Sequence, residues 1–325
     1  MSKQKEFKSI IAPHLQGFLD EKRSLGFKYE TQASILHEFD SYWIAHCSGD
    51  TKITIENIDC WIQKRETEGD SFLQDRVSVI REFSRYLNGI GIPSYIPPLE
   101  VQISQAVVHL LTKPEITDFF TQVDNYMPTR NDKDLQRVAK EYRLLFRFLY
   151  LEGTRITETC SLHTKNIDLD RGIVTILNGK GKKDRIVYLA DDMRQLCIKY
   201  YNYLCTILGE EPAWFFPGRY HERHISIGGT EKQFNEFWSK TKYSDTCSKK
   251  PTVHCLRHTF IVKRINLWLS HGISFERMLP YLSKFLGHSD FRDTYYYYHY
   301  AEDAAKTIHE LDKAQNEVIP EAETL

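Results

Sequence analysis

Near its C-terminal end the chain reads Leu286-Gly-His-Ser-Asp-Phe-Arg-Asp-Thr-Tyr-Tyr-Tyr-Tyr-His-Tyr300, a histidine followed by five tyrosines within six residues. A phenol has an unperturbed pKa of about 10, so it becomes a nucleophile near pH 7 only with cationic or hydrogen-bonding partners. Tyrosines on a helix also serve as ordinary core packing. Three upstream stretches carry groups that could decide between these roles. Gly153-Thr-Arg-Ile-Thr-Glu158 restarts a helix with Arg155 at or near its N-terminus. A cation there opposes the helix dipole at a cost of about 0.3–1 kcal/mol, unless an anion sits between it and the free N–H groups. Glu158 could brace the guanidinium or the helix start. Asn178-Gly-Lys-Gly-Lys-Lys-Asp184 reads as a positive hairpin tip with Lys180 between two glycines, and it lacks the frame of a P-loop. His254-Cys-Leu-Arg257-His258 puts His254 and Arg257 on one helix face; no acidic third ligand follows at zinc spacing, so a phosphate suits it better. Taken singly, each stretch has a plain alternative as a surface arginine, a bare turn or a solvated basic face.

The elements that must position these residues follow from the hydrophobic pattern. At 325 residues, with 41% apolar and 27% charged side chains, the chain suggests about two soluble globular domains. No apolar run approaches the ~18 residues of a membrane span, and the first residues do not read as a signal peptide. Seven scattered cysteines with no CxxC pair fit reduced thiols and offer neither a disulfide framework nor a zinc site. Net charge is −1, but residues 302–325 hold seven acids against Lys306 and Lys313, leaving a mildly basic body ahead of an acidic tail.

Residues 1–91 read as four amphipathic helices, with Pro13 offsetting or kinking the first. Lys22, Arg23, Lys28, Arg76, Arg81 and Arg85 are candidates for a phosphate-facing surface. Residues 92–105 hold three prolines and read as a linker. The second domain, 106–301, opens with a capping box at Thr112 and Glu115. A long helix follows and ends at Gly153. Strands at residues 173–177 and 185–189 form the hairpin, and Phe234, Phe237 and Trp238 mark a helical core face.

Together, and in this order, the boxes resemble those of the tyrosine recombinases, or phage integrases. That family's G-x-R-x-x-E helix start matches residues 153–158 with Arg155. Its hairpin lysine matches Lys180, and its HxxR box matches His254 and Arg257, with His258 and Thr259 following as is common. The LGH box matches Leu286, Gly287 and His288. The nucleophile nine residues later, usually in Tyr-x-His, matches Tyr297 with His299. The likeness is strong over residues 151–300 and extends weakly to the N-terminal helices. Two features depart from it: a longer segment between Arg257 and His288, implying an extra turn or loop near 270–275, and the near-neutral charge.

The resemblance implies a mainly α fold with a small antiparallel β-sheet, made of an N-terminal SAM-like helical core-binding domain and an α+β catalytic domain. It implies a site-specific DNA recombinase that integrates, excises or transposes a mobile element. Arg155 and Arg257 would grip the scissile phosphate, and Tyr297 would attack it to give a 3′-phosphotyrosine. Lys180 would protonate the leaving 5′-oxygen, His254 would assist proton transfer with the tyrosine, and His288 would hydrogen-bond the phosphate. No metal or other cofactor is implied. The implied partners are double-stranded DNA, three further copies in a synaptic homotetramer, and accessory DNA-bending or directionality proteins. The implied location is cytoplasmic and nucleoid-associated, with no membrane. The tail at 302–325 would pack on a neighbouring protomer through Ile308 and Leu311. The competing readings are a type IB topoisomerase, which relaxes DNA without exchanging partners, and a catalytically silent DNA-binding protein.

Overall fold

Alternating apolar faces and well-placed caps divide the chain into two compact units, Met1–Val107 and Val108–Leu325. The structure is a computed structural model and describes residues 6–47, 49–99, 108–177, 179, 184–247 and 249–301. Lys180, the second part of the expected linker and the acidic tail lie outside the described residues.

The first unit contains α1 (Ala12–Ser24), α2 (Glu30–His46), α3 (Ile55–Ile62) and α4 (Asp70–Gly89). Pro13 lies in the first turn of α1, where its missing N–H costs nothing, so it opens the helix rather than kinking it. Thr54 and Asn57 close a capping box on α3. Phe18, Leu36, Phe39, Trp43 and Phe83 form a fully buried core. Arg76 departs from its expected place on a phosphate-facing surface. Its side chain is buried, donates to Glu68 at 2.8 and 2.7 Å and to the Gln63 carbonyl at 2.9 Å, and so ties down the loop before α4. The stretch read as a linker also starts out attached. Tyr95 N donates to Ile53 O at 2.9 Å, and Arg81 donates to the Pro97 carbonyl.

The second unit begins with α5 (Lys113–Asp124), opened by the Thr112–Glu115 capping box that the sequence predicts. Next come α6 (Lys133–Glu152), capped by Asp132, and the short α7 (Ile156–Cys160). Strands β1 (Ile167–Asp168), β2 (Ile173–Ile176) and β3 (Arg185–Tyr188) form an antiparallel sheet in that order, with Ile176 opposite Arg185. The remainder is α8 (Asp191–Leu208), α9 (Ile227–Ser239), α10 (His254–Ser270), α11 (Phe275–Leu286), α12 (Arg292–Tyr295) and a 3-10 turn over Tyr296–Tyr300. The fold is therefore mainly α with a small antiparallel sheet, as expected.

Phe119, Phe146, Phe234 and Phe237 interlock α5, α6 and α9 in the main core. A second cluster joins α10, α11 and the last turn through Ile261, Ile265, Leu286 and Tyr297. The extra segment expected near 270–275 is a short connection, with Ser274 capping α11. Among the described residues, no helix is long and apolar enough to cross a membrane.

Candidate active site

Gly153 ends α6 with φ +58°, in the left-handed region that favours glycine. A Cβ here would also clash with the Phe260 ring, so the glycine lets α10 close against the end of α6. That closure brings Arg257 to the turn, where its Nη1 donates to Gly153 O at 2.5 Å. Arg155 follows as the N-cap of α7. Its backbone N–H donates to Glu158 Oε2 at 2.8 Å and its Nη1 to Glu158 Oε1 at 2.9 Å. The sequence set a cation against a helix dipole, and a carboxylate of the same turn offsets it. Nη2 of Arg155 reaches across to Gly287 O at 2.9 Å.

Glu158 has a second partner that the sequence reading missed. Arg185 grips it bidentately, Nη1 to Oε1 at 2.8 Å and Nη2 to Oε2 at 2.7 Å, and also donates from Nε to Phe285 O at 2.8 Å. Burial pushes the Glu158 carboxyl up, but Arg185 and then Arg155 outweigh it and hold the pKa at about 2. Arg185 is buried because strand side chains alternate in β3: Arg185 and Val187 face inward while Ile186 and Tyr188 are exposed. The alternation is hard to read from Arg-Ile-Val-Tyr because both central residues are apolar.

Arg257 is 5% exposed and, besides Gly153, donates from Nη2 to Leu286 O at 2.9 Å and to His288 Nε2 at 3.1 Å. Its hydrogen-bond acceptors here are neutral, and among the described residues no carboxylate forms an ion pair with it. Burial, then Arg155, lowers its pKa to about 10, so it stays cationic at pH 7. Because a guanidinium only donates, His288 Nε2 accepts, and the proton belongs on Nδ1, which faces Thr294 Oγ1 at 2.7 Å. Ser283 donates to the same Thr294 oxygen at 2.7 Å. His288 thus braces Arg257 through Nε2, on the wall of the same opening.

The tyrosine cluster sorts by helical geometry. In the tight turn that continues α12, Thr294 and Tyr297 are three apart and share the inward face. Tyr297 is 7% exposed, the only fully buried member of the five; Tyr295 is 44% exposed. Tyr298 stacks on Phe275 at 4.7 Å, and the Tyr296 and Tyr300 hydroxyls lie 2.8 Å apart. Burial pushes the Tyr297 phenol up to about 12, with Arg257 and Arg155 opposing and Asp293 adding to the rise. Its hydroxyl lies 2.7 Å from Nδ1 of His258, not of His254. His254 is exposed, one turn earlier on α10, with its ring centroid 6.5 Å from that of His258. The signal for His258 was its place directly after the HxxR box.

Arg155, His254, Arg257, His258, His288 and Tyr297 line one open cavity of about 480 Å³, together with Arg292, Asp293 and Tyr296. Five of the six residues predicted as catalytic therefore converge, and the sixth, Lys180, lies outside the described residues. A mainly helical domain that gathers two arginines and a tyrosine hydroxyl around one opening is suited to a phosphodiester anion.

Residues 111–303 match the model of the phage integrase family, and the chain belongs to that family of tyrosine recombinases. A Sinorhizobium fredii protein named as an integrase/recombinase, y4rB, is 27% identical over 300 residues, covering 89% of this chain and 92% of its own length. Tyrosine recombinase XerD of Pasteurella multocida is 29% identical over 208 residues, 62% of this chain and 61% of that protein. Against that second relative, the match spans about three fifths of the length. The solved structure of XerH site-specific recombinase bound to its palindromic difH substrate has a TM-score of 0.64 at 17% identity, covering 96% of this chain and 92% of that one. At that identity the likeness shows the fold.

Proposed function

We propose that this chain cuts and rejoins double-stranded DNA at defined sites through a covalent phosphotyrosine at Tyr297. The observation that carries the proposal is the convergence of Arg155, Arg257 and the Tyr297 hydroxyl on one cavity, with Arg257 held, among the described residues, by neutral acceptors. Arg155 and Arg257 donate to the non-bridging oxygens of the scissile phosphate. They offset the charge that builds up as phosphorus becomes five-coordinate, in a geometry set before the substrate arrives. His288 holds Arg257 in place, and His254, exposed one turn before His258, lines the same cavity. Lys180 serves as acid to the leaving 5′-oxygen. The phosphodiester energy is retained in the tyrosyl ester, so a second 5′-hydroxyl can reverse the step on a new partner strand.

The N-terminal helical domain, 1–91, and the catalytic domain, 106–301, act on DNA together. The working assembly is a homotetramer, with the tail at 302–325 reaching a neighbour and accessory proteins setting direction on a mobile element. The test is covalent capture on a nicked suicide duplex. Tyr297→Phe should abolish the adduct while leaving DNA retention in a gel, and Tyr296→Phe and Tyr298→Phe should leave the adduct in place. An adduct that survives in Tyr297→Phe would place the nucleophile elsewhere in the cluster.

A further inference from the structure

We infer that His258 accepts the phenolic proton of Tyr297 as its oxygen attacks phosphorus, and returns it when the strand is rejoined. This rests on the recombinase reading above. The Tyr297 hydroxyl and His258 Nδ1 are 2.7 Å apart, within the reach required of a general base. The other basic groups around the cavity are placed for different contacts. Among the described residues, His254 forms no hydrogen bond to that hydroxyl, and the exposed Asp293 carboxylate forms none either. Both ring nitrogens of His288 are engaged, by Arg257 and Thr294.

His258 is also kept in the form that accepts. Burial, followed by His254 and Arg257, lowers its pKa to about 4, so the ring is neutral and can offer Nδ1 while Nε2 carries the hydrogen. The charged and titratable groups around it are His254 and Arg257 on its own helix, His288 just after α11, Arg292 and Asp293 from α12, Tyr296 and Tyr297 from the turn that follows, and Arg155 from the turn after α6. With a weak base facing a weak acid, the proton stays on the phenol at rest, and Tyr297 waits uncharged.

The balance changes during attack. As the Oη–P bond forms, the phenolic oxygen loses basicity, and the growing negative charge on the phosphorane oxygens favours an imidazolium beside them. The proton moves from Oη to Nδ1, the P–O5′ bond breaks, and the leaving oxygen takes its proton from a different donor, Lys180 in the reading above. Rejoining reverses each transfer, so no outside co-reactant is needed.

The test is single-turnover cleavage of a suicide duplex by the full chain, comparing wild type with His258→Asn and His258→Ala. Asparagine can hold a hydrogen bond near the phenol but cannot take a proton. Both variants should cleave slower by about 10²–10⁴-fold while retaining DNA binding. The wild-type rate should fall on the acid side as His258 is protonated, and that limb should be missing from the His258→Asn profile. A merely structural role would slow cleavage alike at every pH. Wild-type rates in His258→Asn, or an unchanged acid limb, would overturn the assignment. Mapping the wild-type adduct keeps the two readings apart: an adduct on Tyr297 with fast His258 variants sinks only this inference, whereas no adduct on Tyr297 sinks the recombinase reading as well.

Discussion

Glu158 holds the arginines of the site in place, and Glu158→Gln should show it in both stability and cleavage. The carboxylate is buried between Arg155 and Arg185, whose side chains are 18% and 5% exposed. Its folded pKa of about 2 lies below the ordinary value of 4.5, so folding favours the ionised form. At about 1.36 kcal/mol per pKa unit, this corresponds to roughly 3 kcal/mol at pH 7. Because the folded pKa is depressed, that stabilisation is fully present above the unfolded carboxyl's pKa and is lost as pH falls toward about 2. Roughly 1 kcal/mol of it should be gone by pH 3.5. Glutamine leaves Arg185 buried with only one acceptor oxygen in place of two, which for a broken buried pair costs about 3–5 kcal/mol. Urea denaturation of the second unit at pH 7, 5 and 3.5 should show Glu158→Gln less stable by about 3 kcal/mol at neutral pH, with the gap narrowing on the acid side. Cleavage should fall too, because Arg155 loses the partner that aims it. A neutral-pH loss below about 1 kcal/mol, or a gap that does not change with pH, would refute the reasoning.

Three other outcomes follow from the same geometry. Arg155→Ala and Arg257→Ala should each reduce cleavage by at least about 10²-fold while the protein stays folded, since each removes a preorganised donor to the phosphate; normal cleavage by either would count against the clamp. Gly287→Ala should destabilise by about 1–3 kcal/mol, because Gly287 has φ +65° and a new Cβ would sit 2.9 Å from Arg185 Nη1; it should also slow cleavage by shifting the carbonyl that Arg155 holds, and wild-type stability and rate together would contradict this. Cleavage by the full chain should persist in excess EDTA, because the two arginines supply the charge that a metal would otherwise bring; strict dependence on added magnesium would point to other chemistry.

Much of this site was legible as spacing. The glycine before Arg155, the histidine three residues before Arg257, the LGH box and the nine-residue step to Tyr297 are local patterns, and local patterns survive in a linear reading. The cap at Thr112, the end of α6 at Gly153 and the hairpin around residues 173–188 were legible for the same reason, since each depends on near neighbours in the chain. The misreadings fall on contacts that reach beyond a single helical turn, to a loop or another element. Arg76 looked like one basic residue among several on α4, until Glu68 and a loop carbonyl enclosed it. Arg185 looked like the first residue of a strand, because nothing within ten residues announces that Glu158 lies beneath it.

The sequence by itself determined the inventory: two arginines, a lysine, three histidines and a tyrosine cluster, in an order that specifies the chemistry. Tertiary packing alone decided which groups touch. It set His258 rather than His254 on the phenol, turned His288 toward Arg257, and buried Tyr297 while leaving Tyr295 exposed. The physical reason is that helix phase is set by the partner surface. Residues one turn apart on α10 are equivalent in a list of spacings, and they become distinct only when the turn over Tyr296–Tyr300, anchored through Thr294 to His288, presses one tyrosine against one of them.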